Sequence, residues 1–270
     1  MPKSAKLGQN FLRDKSFARR IVALLETSVG PLLEIGAGKG ILSDLLLEKF
    51  PGRPLTLVEI DPPLVTGLEQ RLDGRARIHA GDILSIGLGD LFPAGRAAVI
   101  GNLPYHISKP LVDWFISQQP RISEAVLMLQ KDFVDKLLAV HGGAAQGNNK
   151  KYNAQSVVFQ LLFQARRCFD VPAGAFLPAP QIVSTVLYAR PADPGLQGPA
   201  DDFYDFVKYC FAERRKTLWN NLAPRFDKKV LAAVAAASGL PAQTRAEQLP
   251  ADRFPPLHAA LKKRAREERE

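Results

Sequence analysis

Two rhythms of apolar and polar positions alternate along the first two-thirds of the chain. Short solid apolar runs recur: Leu32-Leu33-Glu34-Ile35, Leu55-Thr56-Leu57-Val58-Glu59-Ile60, Ala97-Ala98-Val99-Ile100 and Ala125-Val126-Leu127-Met128-Leu129. Their length and their Val, Ile and Leu content predict buried strands. Ala76–Ala80 is a further candidate strand. Between the runs lie stretches with apolar residues three and four apart. Residues 17–26 put Phe17, Ile21, Leu24 and Leu25 on one helical face, and the same reading predicts helices over 41–49, 63–72, 109–117 and 133–139. Strands alternating with helices imply an α/β fold with a parallel, Rossmann-like sheet covered on both faces. Ligands of such sheets bind outside the carboxyl ends of the strands.

The pattern changes after residue 140. Residues 142–151 hold no periodic apolar positions and predict a flexible loop. Two segments rich in apolar and β-branched residues follow, near 157–170 and 182–189, and are expected to pair antiparallel at the sheet edge. Prolines keep their connector, Val171 to Pro180, extended. Pro, Gly and Asp over 191–202 mark a linker, and 203–263 is helical in pattern, with Phe203, Phe206, Val207, Cys210 and Phe211 on one face. The expected division is therefore residues 1–190 as a catalytic domain and 191–270 as a small helical domain.

Composition narrows the class. The chain has 270 residues, 46% of them hydrophobic, which is enough for a full core. Its apolar runs fall far short of the roughly 20 residues a membrane helix needs, and the N-terminus carries no apolar signal segment. No membrane partner is expected. Cys168 and Cys210 are the only cysteines, giving neither a disulfide framework nor a metal ligand set, so no metal is expected and a reducing cytoplasm is the natural location. The net charge is +9. It gathers at Lys3, Lys6, Arg13, Arg19 and Arg20, at Lys150 and Lys151, and at Arg214, Arg215 and Lys216. Such clusters suit a phosphate backbone as well as a solvated surface. The C-terminal run from Lys262 is mixed in sign and reads as a fraying helix end.

Three candidate elements follow successive strands. Glu34-Ile35-Gly36-Ala37-Gly38-Lys39-Gly40 has G-x-G-x-G spacing, and Ile41 stands where a dinucleotide loop wants its third glycine. That argues against a nicotinamide cofactor and suits a nucleoside without pyrophosphate. Glu59, at the end of the second strand, can accept from ribose hydroxyls, and Asp82 can accept from an adenine amino group. An acidic residue at a strand end can equally cap the next turn.

Asn102-Leu103-Pro104-Tyr105 follows the strand ending near Ile100, again at the carboxyl edge. An adenine amino nitrogen is a poor nucleophile because its lone pair is delocalised into the ring. The Asn102 side-chain carbonyl and the Leu103 backbone carbonyl, held out by Pro104, can bind its two hydrogens. They would then hold the nitrogen toward a methyl donor. Positioning supplies much of the rate, and Tyr105 offers a face for stacking the base. A plain proline turn is the alternative.

These residues carry a family resemblance. The chain resembles the ribosomal RNA adenine N6,N6-dimethyltransferases, the KsgA family of small-subunit rRNA modifying enzymes. The likeness runs through Gly8-Gln9-Asn10-Phe11-Leu12, Glu34–Gly38, Glu59-Ile60-Asp61, Gly81-Asp82, Asn102–Ser108, Leu129-Gln130-Lys131, Phe176–Pro180, Glu213–Leu218 and Asn220-Asn221-Leu222. It implies an S-adenosyl-L-methionine-dependent methyltransferase sheet with a C-terminal helical RNA-binding domain. It implies that Asn10, Leu12, Gly36, Gly38, Glu59, Asp82 and Asn102 form the cofactor site. Asn102 and Tyr105 would hold the target adenine, with Phe176 stacked on its other side and Arg214, Arg215 and Lys216 on rRNA backbone. The implied substrate is two adjacent adenosines in a hairpin loop near the 3′ end of small-subunit rRNA, within an immature particle; loop bases are the accessible kind in RNA. A monomer is expected. The chain departs from the pattern at Ala37, where the family usually has proline, and in its longer connection from Gly142 to Lys151 followed by Tyr152-Asn153. A large-subunit rRNA methyltransferase of the antibiotic-resistance type, and a non-catalytic assembly or transcription factor on this fold, are the competing readings.

Overall fold

The computed structural model describes residues 9–26, 29–104, 107–142 and 151–268. The chain folds as two compact units, Met1–Val134 with Gln164–Pro191, and Asp135–Phe163 with Ala192–Glu270. Residues 135–163 therefore belong with the C-terminal helices, where the sequence had suggested a simple division at 190.

The first unit is a three-layer α/β sandwich. Its elements are β1 (Phe11–Leu12), α1 (Lys15–Ala23), β2 (Leu32–Ile35), α2 (Ile41–Lys49), β3 (Leu55–Glu59), α3 (Pro62–Leu72), β4 (Arg77–Ala80), α4 (Leu88–Leu91), β5 (Ala97–Asn102), α5 (Ser108–Gln118) and β6 (Ile122–Gln130). Helix α6 (Lys131–Leu137) and α7 (Ala154–Leu162) lead to β7 (Phe163–Val171), β8 (Phe176–Leu177) and β9 (Ser184–Pro191). The main sheet runs β4-β3-β2-β5-β6-β9-β7. Strands β2 to β6 pair in parallel, and β9 lies antiparallel to β6, with Leu127 opposite Leu187. The chain winds outward from β2 through β3 and β4, then returns to place β5 on the other flank of β2. That reversal opens a crevice at the carboxyl ends of β2 and β5.

The strands formed where solid apolar runs predicted them, because both faces are covered: all residues of β2 and β3 are buried. Two boundaries moved. Helix α1 starts at Lys15 because Asp14 caps it, its carboxylate accepting from the amides of Ser16 (2.8 Å) and Phe17 (3.4 Å). Strand β5 runs on to Asn102, two residues past the apolar run. The segment near 157–170 is not one strand. Asn153 caps a helix there, accepting from Gln155 and Ser156, and α7 turns into β7 only at Phe163.

The second unit contains α7, α8 (Ala200–Cys210), α9 (Leu218–Leu222), α10 (Lys228–Ser238) and α11 (Phe254–Glu267). Helix α7 packs on α8. The buried Tyr152 hydroxyl donates to the Leu249 carbonyl at 3.0 Å, which anchors the chain just before α7. The departure at Tyr152-Asn153 thus has a structural use: an anchor followed by a cap. Residues 143–150 of the preceding loop lie outside the described residues. Among the described residues, no helix is long and apolar enough to cross a membrane.

Candidate active site

The ends of β2, β3, β4 and β5 meet the N-terminal arm around one cleft in the first unit. Its wall includes Asn10, Phe11, Gly36, Gly38, Glu59, Asp82, Asn102, Leu103 and Pro104, with Ile35, Val58, Ile60 and Ile83 supplying apolar surface. The sequence had placed these residues at successive strand ends, and the parallel sheet brings those ends together.

The glycine loop follows β2. Gly36, Gly38 and Gly40 all have positive φ (67°, 56° and 75°), a region that L side chains rarely adopt. Gly38 has a second reason to be glycine, since a Cβ there would lie 3.1 Å from the Phe11 ring. The arm thus lies directly over the loop, and the Lys39 ammonium stands 5.1 Å from the centroid of the same ring.

Glu59 is 4% exposed. Its Oε1 accepts from the amides of Ile60 (2.9 Å) and Asp61 (3.0 Å), and its Oε2 from the Gly38 amide (2.8 Å). A carboxylate has about four lone-pair sites, so these bonds orient it and leave acceptor capacity toward the cleft. Asp82 does both things its position allowed. It caps the turn after β4, accepting from Leu84 at 3.0 Å, and it lines the cleft.

Asn102 ends β5 opposite Met128. Its Nδ2 donates to the Asn10 carbonyl at 3.1 Å. Only the amide nitrogen can make that bond, so the contact fixes which way the amide points and presents Oδ1 as its acceptor side. Leu103 is buried and its backbone amide donates to the Met128 carbonyl. Tyr105, the stacking candidate, lies outside the described residues, as do His106, Lys3, Lys6, Gly8 and Lys150.

Leu12 and Phe176 are not part of the cleft wall. They pair with each other across a two-stranded sheet, β1 against β8, and are 6% and 2% exposed. In this arrangement Phe176 offers no open face to a base; it secures the arm from behind. Arg214, Arg215 and Lys216 lie in the second unit, on the turn between α8 and α9. Lys216 pairs with Glu213 at 2.6 Å, and the buried Asn221 spans the turn, donating to the carbonyls of Cys210 and Glu213 and accepting from the Glu213 amide.

Four residues without a role in the sequence reading shape the cleft. A Cβ on Gly101 would come within 2.7 Å of the Ile35 carbonyl and 2.8 Å of Leu103 Cδ2, so glycine lets β2 and β5 close together just before Asn102. Gln9 reaches Asp61 at 3.4 Å. Arg71 donates to the loop carbonyls of Lys39 and Gly40. Ser43 donates to the fully buried Glu34 at 2.6 Å, and burial pushes the Glu34 carboxyl up to about 8. A glycine one residue before Asn102 was a visible signal. The arginine and glutamine contacts span distant parts of the sequence and were not.

The cleft fits a nucleoside-bearing sulfonium cofactor. Glycine backbone gives close approach, the apolar side chains flank a flat ring, and Glu59 and Asp82 supply acceptors for hydroxyl and amino groups. The described residues contain no group of three or more potential metal ligands.

The model of the family described as ribosomal RNA adenine dimethylase matches residues 2–263. The chain belongs to the ribosomal RNA adenine dimethylase family. As a member of it, the protein is an S-adenosylmethionine-dependent rRNA adenine dimethyltransferase. It is 36% identical over 262 residues to the ribosomal RNA small subunit methyltransferase A of Desulfitobacterium hafniense, covering 95% of this chain and 91% of that one. Its identity to the protein of the same name from Methylococcus capsulatus is 37% over 252 residues, covering 90% and 92%. The fold matches the crystal structure of a dimethyladenosine transferase from Plasmodium falciparum with a TM-score of 0.78 at 22% identity, over 94% of this chain and 98% of that one. The 23S rRNA methyltransferase ErmE shares the fold at a TM-score of 0.66 and 24% identity, over 94% and 100%.

Proposed function

We propose that this dimethyltransferase acts on small-subunit rRNA, placing two methyl groups on N6 of each of two adjacent adenosines in the 3′-terminal hairpin loop of an assembling subunit. The observation that carries the chemistry is the oriented amide of Asn102 at the cleft. Its Oδ1 is the acceptor for one amino hydrogen of the target base, and the Leu103 carbonyl, ahead of Pro104, takes the other. Two such bonds hold the nitrogen's lone pair toward the methyl donor. S-adenosylmethionine, held by Glu59, Asp82 and the Gly36–Gly40 loop under Asn10 and Phe11, supplies an activated methyl group. Asn102 needs no basic partner, because the methylated amine sheds its proton readily to water. Tyr105 stacks on the base, and the Arg214–Lys216 turn contacts rRNA backbone. Phe176 acts on the base only if the β1–β8 pair shifts; in the closed arrangement it supports the arm.

The small-subunit choice is supported by the names of relatives at 36% and 37% identity over nearly the whole chain. The ErmE likeness, at lower identity, extends to the fold alone. The protein works as a cytoplasmic monomer. Purified protein and labelled cofactor should label the rRNA of small subunits lacking the modification, and mapping the label identifies the nucleotides. Label in large-subunit rRNA instead, or none despite normal cofactor binding, defeats the proposal.

A further inference from the structure

Two grips hold the glycine loop, and both come from the β3–α3 segment. In front, Glu59 at the end of β3 takes the Gly38 amide. Behind, Arg71 in the last turn of α3 reaches over the loop's other end. Its Nη2 donates to the carbonyls of Lys39 (3.1 Å) and Gly40 (3.4 Å), and its Nη1 bonds both carboxylate oxygens of Asp44 in α2. The guanidinium occupies the space a side chain at Gly40 would fill, since a Cβ there would stand 1.8 Å from Nη2. One planar group therefore joins the loop, the helix that follows it and the helix that follows Glu59.

The grip has a functional meaning because the loop is costly to order. Three residues with positive φ in five positions are glycines, and glycine has the most backbone freedom to lose. Binding that must also order its site is weakened by that ordering. The front grip uses the same carboxylate that the cofactor's hydroxyls need. The back grip uses the carbonyls of Lys39 and Gly40, and those two residues and Arg71 are absent from the cleft wall. It can hold the loop whether or not ligand engages Glu59.

We infer that Arg71 is a positioning residue for the cofactor, presetting the Gly36–Gly40 loop from behind. This inference rests on the S-adenosylmethionine reading of the cleft. The Arg71–Asp44 ion pair is half-exposed, with side-chain exposures of 38% and 50%, so its direct contribution to stability is small. The carbonyl bonds, not the ion pair, carry the effect.

Calorimetric titration with S-adenosylhomocysteine tests this without turnover. Arg71→Met should weaken binding about tenfold, as expected when a preorganising contact is removed. KM for S-adenosylmethionine should rise by a similar factor, with kcat and rRNA affinity unchanged and the melting temperature close to wild type. Arg71→Lys should recover part of the affinity, because an ammonium can reach one carbonyl but cannot fork to both and to Asp44. Asp44→Asn, which keeps the carbonyl bonds, should bind nearly as wild type. Unchanged S-adenosylhomocysteine affinity in Arg71→Met overturns the inference. So does a fall in melting temperature with rRNA affinity lost in parallel, which marks a general structural role. Failure of the wild-type protein itself to bind S-adenosylhomocysteine would count against the cofactor reading instead.

Discussion

The side-chain amide of Asn102 donates to the backbone carbonyl of Asn10, 92 residues away in sequence, at 3.1 Å. This bond ties the Asn102 end of β5 to the arm that lies over the glycine loop. Orientation of the amide, and with it the acceptor that the proposed function assigns to the base, depends on the arm being in place. Asn102→Asp keeps the size but replaces the donor with a carboxylate oxygen facing a carbonyl. We expect kcat to fall by about 10²-fold or more, the scale of a misplaced reacting group, while rRNA binding in a filter assay is retained. Equal loss of binding and turnover would make Asn102 a structural residue only.

Gly101 is a tight point of backbone approach just before Asn102. Gly101→Ala puts a methyl group against the Ile35 carbonyl, and the strand ends must part. Overpacking of this kind costs about 1–3 kcal/mol. Urea denaturation should show that loss, with a drop in S-adenosylhomocysteine affinity, because Ile35 leads into the glycine loop. A variant as stable and as tight as wild type contradicts the close approach described here.

Glu34 sets a pH dependence. Its ordinary value of 4.5 is raised to about 8, chiefly by burial, with the Ser43 bond acting in the opposite direction. The folded state therefore keeps a proton that the unfolded state has released across that interval. Stability from this group is full below 4.5, falls as pH rises through the interval, and is lost above about 8. The slope approaches about 1.4 kcal/mol per pH unit. Glu34→Gln keeps an uncharged, hydrogen-bonding side chain and should flatten the curve. Parallel stability–pH curves for variant and wild type would show that Glu34 does not titrate this way.

The basic turn of the second unit makes a salt-dependent prediction. Arg215 is exposed on that turn, whereas Lys216 is paired with Glu213. Arg215→Gln should lower affinity for small-subunit particles and reduce the slope of log K against log salt by about 0.7–0.9. Lys216→Gln should do less. Identical slopes for all three proteins would remove the turn from the RNA interface.

Much of this was legible in the sequence because parallel strands buried on both faces leave solid apolar runs. The cleft residues Glu59 and Asn102 were legible for the same reason, being polar residues at the ends of such runs, whereas Asp82 follows β4, which is exposed to half-buried, and was legible from the Gly81-Asp82 turn. Helix α7 was harder. Its residues Val157, Val158 and Phe159 are all buried, and a helix covered on most sides shows no 3.6-residue stripe. The cap residue Asn153 was the better guide. Phe176 was assigned to the base by resemblance, yet its place here is set by Leu12, a partner that no local pattern announces. Arg71 escaped for the same reason: its bonds run to Lys39 and Gly40, about thirty positions earlier.

The pairing of Phe11–Leu12 with Phe176–Leu177 has a consequence for synthesis. Strand β1 leaves the ribosome long before β8, its partner, and cannot dock until β8 has emerged. The loop, Glu59 and Asp82 can be in place on a nascent chain while the arm, and with it the Asn102 amide, is still unanchored. Cofactor retention should therefore begin late, after residue 177 has emerged, so that a truncated chain holds the acceptors Glu59 and Asp82 without their cover.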